Sequence, residues 1–299
     1  MTMPRLLFGT PGVSPRALAV VEVRRQLRRP VIWIGVALTI VQVATISSDW
    51  SGGSYTDKMI GFMPLVLAAL FCGYATSSRD QRQVLAEGAP LDQNDRALAR
   101  LVSVTVPVVM SVVIVIGIAV VSRIEGGFWI GEGPRRTDIA LHSILELFQP
   151  PLFVALAGTF GVAAGRVSRN RAIAIMTFGT LVWFLSFPGY WVMNTPPVHV
   201  LALVQIQPLS IRLEPGVISE QLPENWLVDV PNEFSGVYER QLVHQPTIAG
   251  HNLYLFGLIA VAAGASIRTR TGRRLALAGA VLVLGGIAIQ LALMPSGLT

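Results

Sequence analysis

One cysteine, one lysine and four histidines among 299 residues leave few of the groups from which disulfide scaffolds, Schiff-base sites and multi-histidine metal centres are built. Cys72 stands alone, so it closes no intrachain disulfide. Inside an apolar run it is expected to pack as a small hydrophobe. The single lysine, Lys58, falls at the edge of a run, so no span offers an amine for a retinal-type Schiff base. Also missing are a G-x-x-x-x-G-K-[ST] phosphate loop, a G-x-G-x-x-G after a strand and an H-E-x-x-H pair. The chain is therefore not expected to hydrolyse a nucleotide through those motifs. Charge is scarce overall: 13% of residues are charged and 52% hydrophobic, with a mean hydropathy of +0.59. That is too little polar material to coat a soluble globule.

What the sequence has instead is a series of apolar runs near the ~20 residues that a spanning helix needs. They predict spans near 31–48, 58–77, 99–121, 147–165, 172–191, 252–267 and 275–294. The sixth is short in its clean apolar part, Asn252 to Ile267, and crosses if Thr247 to His251 extend it. The first run follows 30 residues that carry six arginines. It ends in Ile46-Ser47-Ser48-Asp49 without a small-x-small cleavage pattern, and is expected to be a retained span.

Basic residues set the orientation. With the N-terminus inside, 17 of the 23 lie on the inner side and six on the outer, alternating loop by loop. The same placement accounts for the net charge of +6 and the pI near 10.2 without nucleic acid as a partner. The cations sit in short gaps where they meet anionic lipid headgroups.

The expected organisation has four parts. Residues 1–30 form a cytoplasmic segment, in which 14–29 make a surface helix with Ser14 as N-cap and Pro15 at the first helical position. Val20, Val23 and Leu27 share one face, and Arg24, Arg25 and Arg28 a neighbouring one. Residues 31–191 hold spans one to five. Residues 192–251, rich in proline, form an extracytoplasmic cap of turns and short elements, with His199 to Ile206 apolar enough to lie back on the membrane. Residues 252–299 hold the last two spans.

Few residues invite a chemical role. His142 and Glu146, four apart at the outer start of span four, share a helix face and fit an interfacial helix showing polar groups to headgroups. His244 and His251 are expected in a loose flank. Trp183, Tyr190 and Trp191 fit an interfacial aromatic belt. Gly161 and Gly165, and Ala260 and Gly264, are spaced for close helix contact, within a bundle or across a dimer. The cytoplasmic loop after span two differs from the others. It is long and carries both signs of charge: Arg79, Asp80, Arg82, Glu87, Asp92, Asp95 and Arg96, around Val84, Leu85 and Leu91. A loop serving topology alone would be shorter and more uniformly basic, so this one is expected to meet another protein.

That loop, "SSRDQRQVLAEGAPLDQNDRALARL", resembles the segment between the second and third spans of ABC-2 type transporter permeases. Asp80, Arg82, Leu85, Pro90 and Arg96 stand where the family has an acid and arginine, a leucine-rich short helix, a proline and a basic turn. The surface helix "ALAVVEVRRQLRRP", the span "PPLFVALAGTFGVAAGR" and the large outer gap before span six agree with it. The resemblance implies an all-α polytopic membrane protein: a six-helix ABC-2 type permease bundle, N-terminus cytoplasmic, here with a seventh C-terminal transmembrane helix. It implies a bacterial ABC exporter subunit in the plasma membrane that moves a hydrophobic or amphipathic substrate by alternating access. Residues 77–98 would be its coupling loop. By the same resemblance Asp80, Arg82, Leu85, Glu87, Pro90, Leu91 and Arg96, with Arg24 and Arg25 of the surface helix, would contact an ATPase subunit. No cofactor is expected on this chain. ATP and Mg would sit on two partner ATPase subunits, and a second permease, identical or related, would complete the pathway. One lysine against 22 arginines is what a GC-rich bacterial genome, such as an actinobacterial one, would encode. Two other classes fit the composition. One is a membrane enzyme acting on a lipid or lipid-linked substrate, with the outer carboxylates Asp49, Asp57, Glu125 and Glu132 as candidate acids. The other is a non-transporting signalling or regulatory complex on the same fold.

Overall fold

The structure, a computed structural model, describes residues 15–45, 61–82, 93–124, 128–129, 139–140, 142–168, 170–191, 200–203, 209–212, 226–231, 238–242, 245–267 and 269–293. Helices α1 (Pro15–Leu27) and α2 (Pro30–Thr45) meet at a bend of 56°. Pro30 accounts for the bend, since a proline cannot donate to the preceding turn and pushes the residue before it out of helical geometry. The Trp33 indole N–H donates to Leu27 O at 2.7 Å, giving a carbonyl at the end of α1 the donor the bend removed. Ser14, the expected cap, lies outside the described residues.

Helix α3 (Met63–Arg82) runs further than the expected span, and α4 (Gln93–Ser103) begins before the next one. The loop predicted over 77–98 is thus helical at both flanks. Helix α5 (Thr105–Ile124) continues α4 after a break at Val104. Pro107 removes the N–H that would bond Ser103 O. The Ser103 and Thr105 hydroxyls each donate back to a carbonyl of the preceding turn at 2.7 Å.

Two short strands, β1 (Phe128–Trp129) and β2 (Ile139–Ala140), pair antiparallel before α6 (Ile144–Leu147) and α7 (Gln149–Val167). Ser143 caps α6 in a reciprocal box with Glu146, and Pro150 and Pro151 open α7, where a missing N–H does no harm. Helix α8 (Arg171–Trp191) follows. The region expected as a cap then holds a three-stranded antiparallel sheet of β3 (Leu209–Arg212), β4 (Trp226–Pro231) and β5 (Tyr238–Leu242), with β5 in the middle. Helices α9 (Gln245–Ser266) and α10 (Arg270–Ala292) complete the chain.

Four stretches are long and apolar enough to cross a membrane: Asn94–Ile124, Ile144–Val167, Gln245–Ser266 and Arg270–Ala292. The bent pair α1 and α2 makes a fifth if it counts as one span. These helices are those of a multi-pass membrane protein. The sixth predicted span does take in Thr247 to His251. Helix α3 is not among the four: its described residues end in the polar turn Ser77–Arg82. The apolar part described in α8 is short, Ala172–Trp183.

Helix directions follow from the contacts. Helices α2 and α3 run antiparallel, with Arg29 on Cys72 O, Gly35 on Ala68 and Thr39 on the Leu65 N–H. Helices α3 and α7 run parallel: a Cβ on Gly161 would meet Leu70 O and Tyr74 N, and one on Gly165 would meet Tyr74 O and Ser77. Helices α7 and α9 also run parallel, tied by Asn252 to Leu145 O at one end and by Arg166 to Ser266 O at the other. The chain must therefore return between them, and α8 is the helix available for that return. Helices α9 and α10 are antiparallel, with glycines seven apart on each: Gly250, Gly257 and Gly264 face Gly286, Gly279 and Gly272. A Cβ at Gly257 would lie 2.7 Å from Gly279 O and one at Gly279 would lie 2.7 Å from Gly257 O, so the two backbones touch. The small residues singled out in the sequence thus pack inside the bundle. The core sits among α3, α7, α8 and α9, around Leu65, Leu70, Phe153, Ala157, Phe178 and Leu255.

Candidate functional site

Most helix ends that carry arginine gather on one side of the bundle, Arg123 at the far end of α5 being an exception, and there α1 is fastened to the spans. Glu22 and Gln26, one turn apart on α1, are both buried. Glu22 accepts from Arg25 Nη1 at 2.8 Å and from Arg79 Nη2, at the end of α3, at 3.3 Å. Gln26 Nε2 donates to Ser103 Oγ at the α4–α5 break at 3.3 Å. Arg29 Nη1 donates to Cys72 O at 2.8 Å. Arg100 of α4 is buried beside the same cluster, and its charge is felt with those of Glu22, Arg79 and Arg166. Burial pushes the Arg79 guanidinium down from its ordinary range, and Glu22 is the main influence opposing that.

The face of α1 turned to the protein is therefore its polar one. Val20 and Leu27 are exposed as the sequence predicts, but Val23 is half-buried and does not share their surroundings. Arg24 and Arg25 point outward, Arg25 with 53% of its side chain exposed. Arg96 is half-buried in α4. Asp80 and Arg82 belong to the last turn of α3, and their side chains lie outside the described residues, as do Leu85, Glu87, Pro90 and Leu91 altogether. The structure thus brings Arg25 and Arg79 to this end with Glu22, Gln26 and Ser103, three residues to which the sequence alone assigns no contact. A carboxylate and an amide at i and i+4 on a basic, apolar helix were the available signal for two of them.

The opposite end is built differently. His142 and Glu146 were expected to face headgroups, yet their side chains are 2% and 0% exposed, with His142 Nδ1 3.8 Å from Glu146 Oε1. Glu146 Oε2 accepts the Ser143 N–H at 2.7 Å, so the carboxylate is drawn inward by the cap it completes. Asn252 Nδ2 donates to Leu145 O at 2.9 Å, joining α9 to this corner. His251 does not lie in a loose flank: it is buried within α9, with Nδ1 3.3 Å from Gln290 Oε1 on α10. Among the described residues no three His, Cys, Asp or Glu side chains form a group that could hold a metal ion. Trp183 is exposed. The side chains of Tyr190 and Trp191, the whole of His244, and the outer carboxylates Asp49, Asp57, Glu125 and Glu132 lie outside the described residues. Comparison with family models, curated proteins and solved structures finds no match for the chain.

Proposed function

We propose that the chain is the membrane-spanning permease subunit of an ATP-driven ABC exporter in a bacterial plasma membrane. In this reading six helices form the ABC-2 type bundle and α10 is a seventh crossing, with the N-terminus inside. Two ATPase subunits hold ATP and Mg, a second permease completes the pathway, and a hydrophobic or amphipathic substrate moves by alternating access. One observation carries the reading: α1, the end of α3 and the end of α4, where it runs on into α5, are joined by Glu22 to Arg79 and by Gln26 to Ser103. A push on the loop between Arg82 and Gln93 would therefore reach two spans and the surface helix together, which is what a motor working from that side requires. Helix α4 adds a strongly two-faced segment beside the loop, with Ala97, Ala99 and Arg100 inward and Leu98 and Val102 outward.

The test is to purify the chain with the ATPase encoded beside it and measure ATP hydrolysis before and after charge reversal, Asp80→Arg with Arg82→Glu. The expected result is a complex whose chain-dependent hydrolysis falls at least tenfold on reversal. Unchanged assembly and hydrolysis would remove the loop from the contact.

A further inference from the structure

Residues 200–203 form no helix or strand, yet Val200, Ala202 and Leu203 are 3%, 3% and 4% exposed. Leu203 belongs to the core cluster with Leu65, Phe153, Tyr254 and Leu255, so this piece of chain does not lie on the membrane but dips into the bundle. Irregular backbone at such depth is stable only where protein supplies the donors its carbonyls need. Two helices supply them here. Gln290 Nε2 on α10 donates to Val200 O at 3.3 Å, and Tyr254 Oη on α9 donates to Leu201 O at 2.9 Å.

Gln290 is held ready for that bond. It is 2% exposed, in a helix otherwise apolar past Arg274. Its Nε2 also donates to Gly286 O at 3.2 Å, so its Oε1 is left to accept from His251 Nδ1–H at 3.3 Å. That fixes the histidine tautomer and the direction of the amide. The rotation of α10 that turns Gln290 inward is set in turn by the facing glycines, because backbones in contact cannot roll past one another.

We infer that Gln290 is a positioning residue, and that α10 is a clamp which holds residues 200–203 in the bundle so that α9, α10 and this segment move as one body. The inference rests on this geometry and not on the exporter reading, and it can fail while that reading stands.

The test uses the full chain reconstituted in liposomes, with Cys72→Ala to remove the single native thiol and Leu203→Cys as reporter. The rate of labelling by a polar maleimide is measured. Slow labelling is expected in this parent. Gln290→Met keeps size and removes all three polar bonds, the one to Val200 O among them, and is expected to speed labelling about three- to tenfold, the span set by a hydrogen bond's usual net worth. Tyr254→Phe removes only the phenolic hydroxyl and gives an independent rise of the same order. Gly285→Ala, on α10 but with its nearest neighbour at 3.9 Å, leaves the rate at the parent's value. Equal rates in the parent, Gln290→Met and Tyr254→Phe would overturn the clamp. If Gln290→Met does not fold, Tyr254→Phe decides alone, with an unchanged rate counting against the inference.

Discussion

The two ends of the bundle hold their buried carboxylates, Glu22 and Glu146, in opposite ways. At the arginine-bearing end Glu22 meets Arg25 and Arg79, whose side chains are 53% and 41% exposed, so water and salt screen the attraction. At the other end Glu146, His251 and Gln290 are closed off from solvent and use mostly neutral hydrogen bonds to neighbouring helices and to the 200–203 segment. A screened pair adds little to stability but leaves its groups able to regroup around a partner. A dry hydrogen bond adds only modestly when formed, but leaves an unsolvated polar atom when broken. One end is suited to docking and the other to holding.

Variants can break or sharpen this contrast, and the largest effect is expected where the holding is tightest. Gly279→Leu puts a side chain where even a Cβ lies 2.7 Å from Gly257 O and Val261 N. It should lower stability in detergent by at least about 1–3 kcal/mol, seen as a fall in Tm followed by helical circular dichroism. Gly117→Ala, with nothing within 4 Å of the new Cβ, should instead be neutral or slightly stabilising.

Next in size is Glu146→Ala, which removes the acceptor from the Ser143 N–H and leaves His142 buried without its carboxylate. A loss of about 1–3 kcal/mol is expected in the same melting experiment. Ser143→Ala, which removes one half of the cap, should cost about 1 kcal/mol. Among the polar variants the smallest loss of stability is expected from Glu22→Gln, under about 1 kcal/mol and smaller still at high salt. Its effect on the chain-dependent ATP hydrolysis of the purified complex should nevertheless exceed that of Glu146→Ala. A Glu22→Gln variant that melts early but couples normally would reverse the roles assigned to the two ends.

The apolar runs made most of the helices legible, because a membrane demands continuous hydrophobicity over a fixed length. The limits were less legible. His251 and Asn252 lower the hydropathy at the start of α9, and their partners, Gln290 and Leu145, lie 39 and 107 residues away. Polar residues look like a loop until those partners are seen. The bend at Pro30 and the break before Pro107 follow from the missing proline N–H and could be read locally. Glu22 could not be connected with Arg79, since the pair is separated by 57 residues and depends on the antiparallel turn of α2 on α3. The seven-residue glycine spacing of α9 and α10 stood in the sequence, but only the facing backbones show that it joins these two helices. On helix α1 the helical angle groups Val20, Val23 and Leu27, whereas the buried Glu22 and Gln26 mark the side that faces the protein.

An ATPase received at the arginine-bearing end, as proposed above, would be caught there by a photo-crosslink. A photoreactive amino acid at position 24, exposed on α1, and another at 277, exposed on α10, are irradiated in native membranes and the adducts identified by mass spectrometry. The expected result is a protein with nucleotide-binding motifs attached at position 24 and not at 277. Adducts at position 24 that contain lipid alone, in cells where the neighbouring ATPase is present, would contradict it.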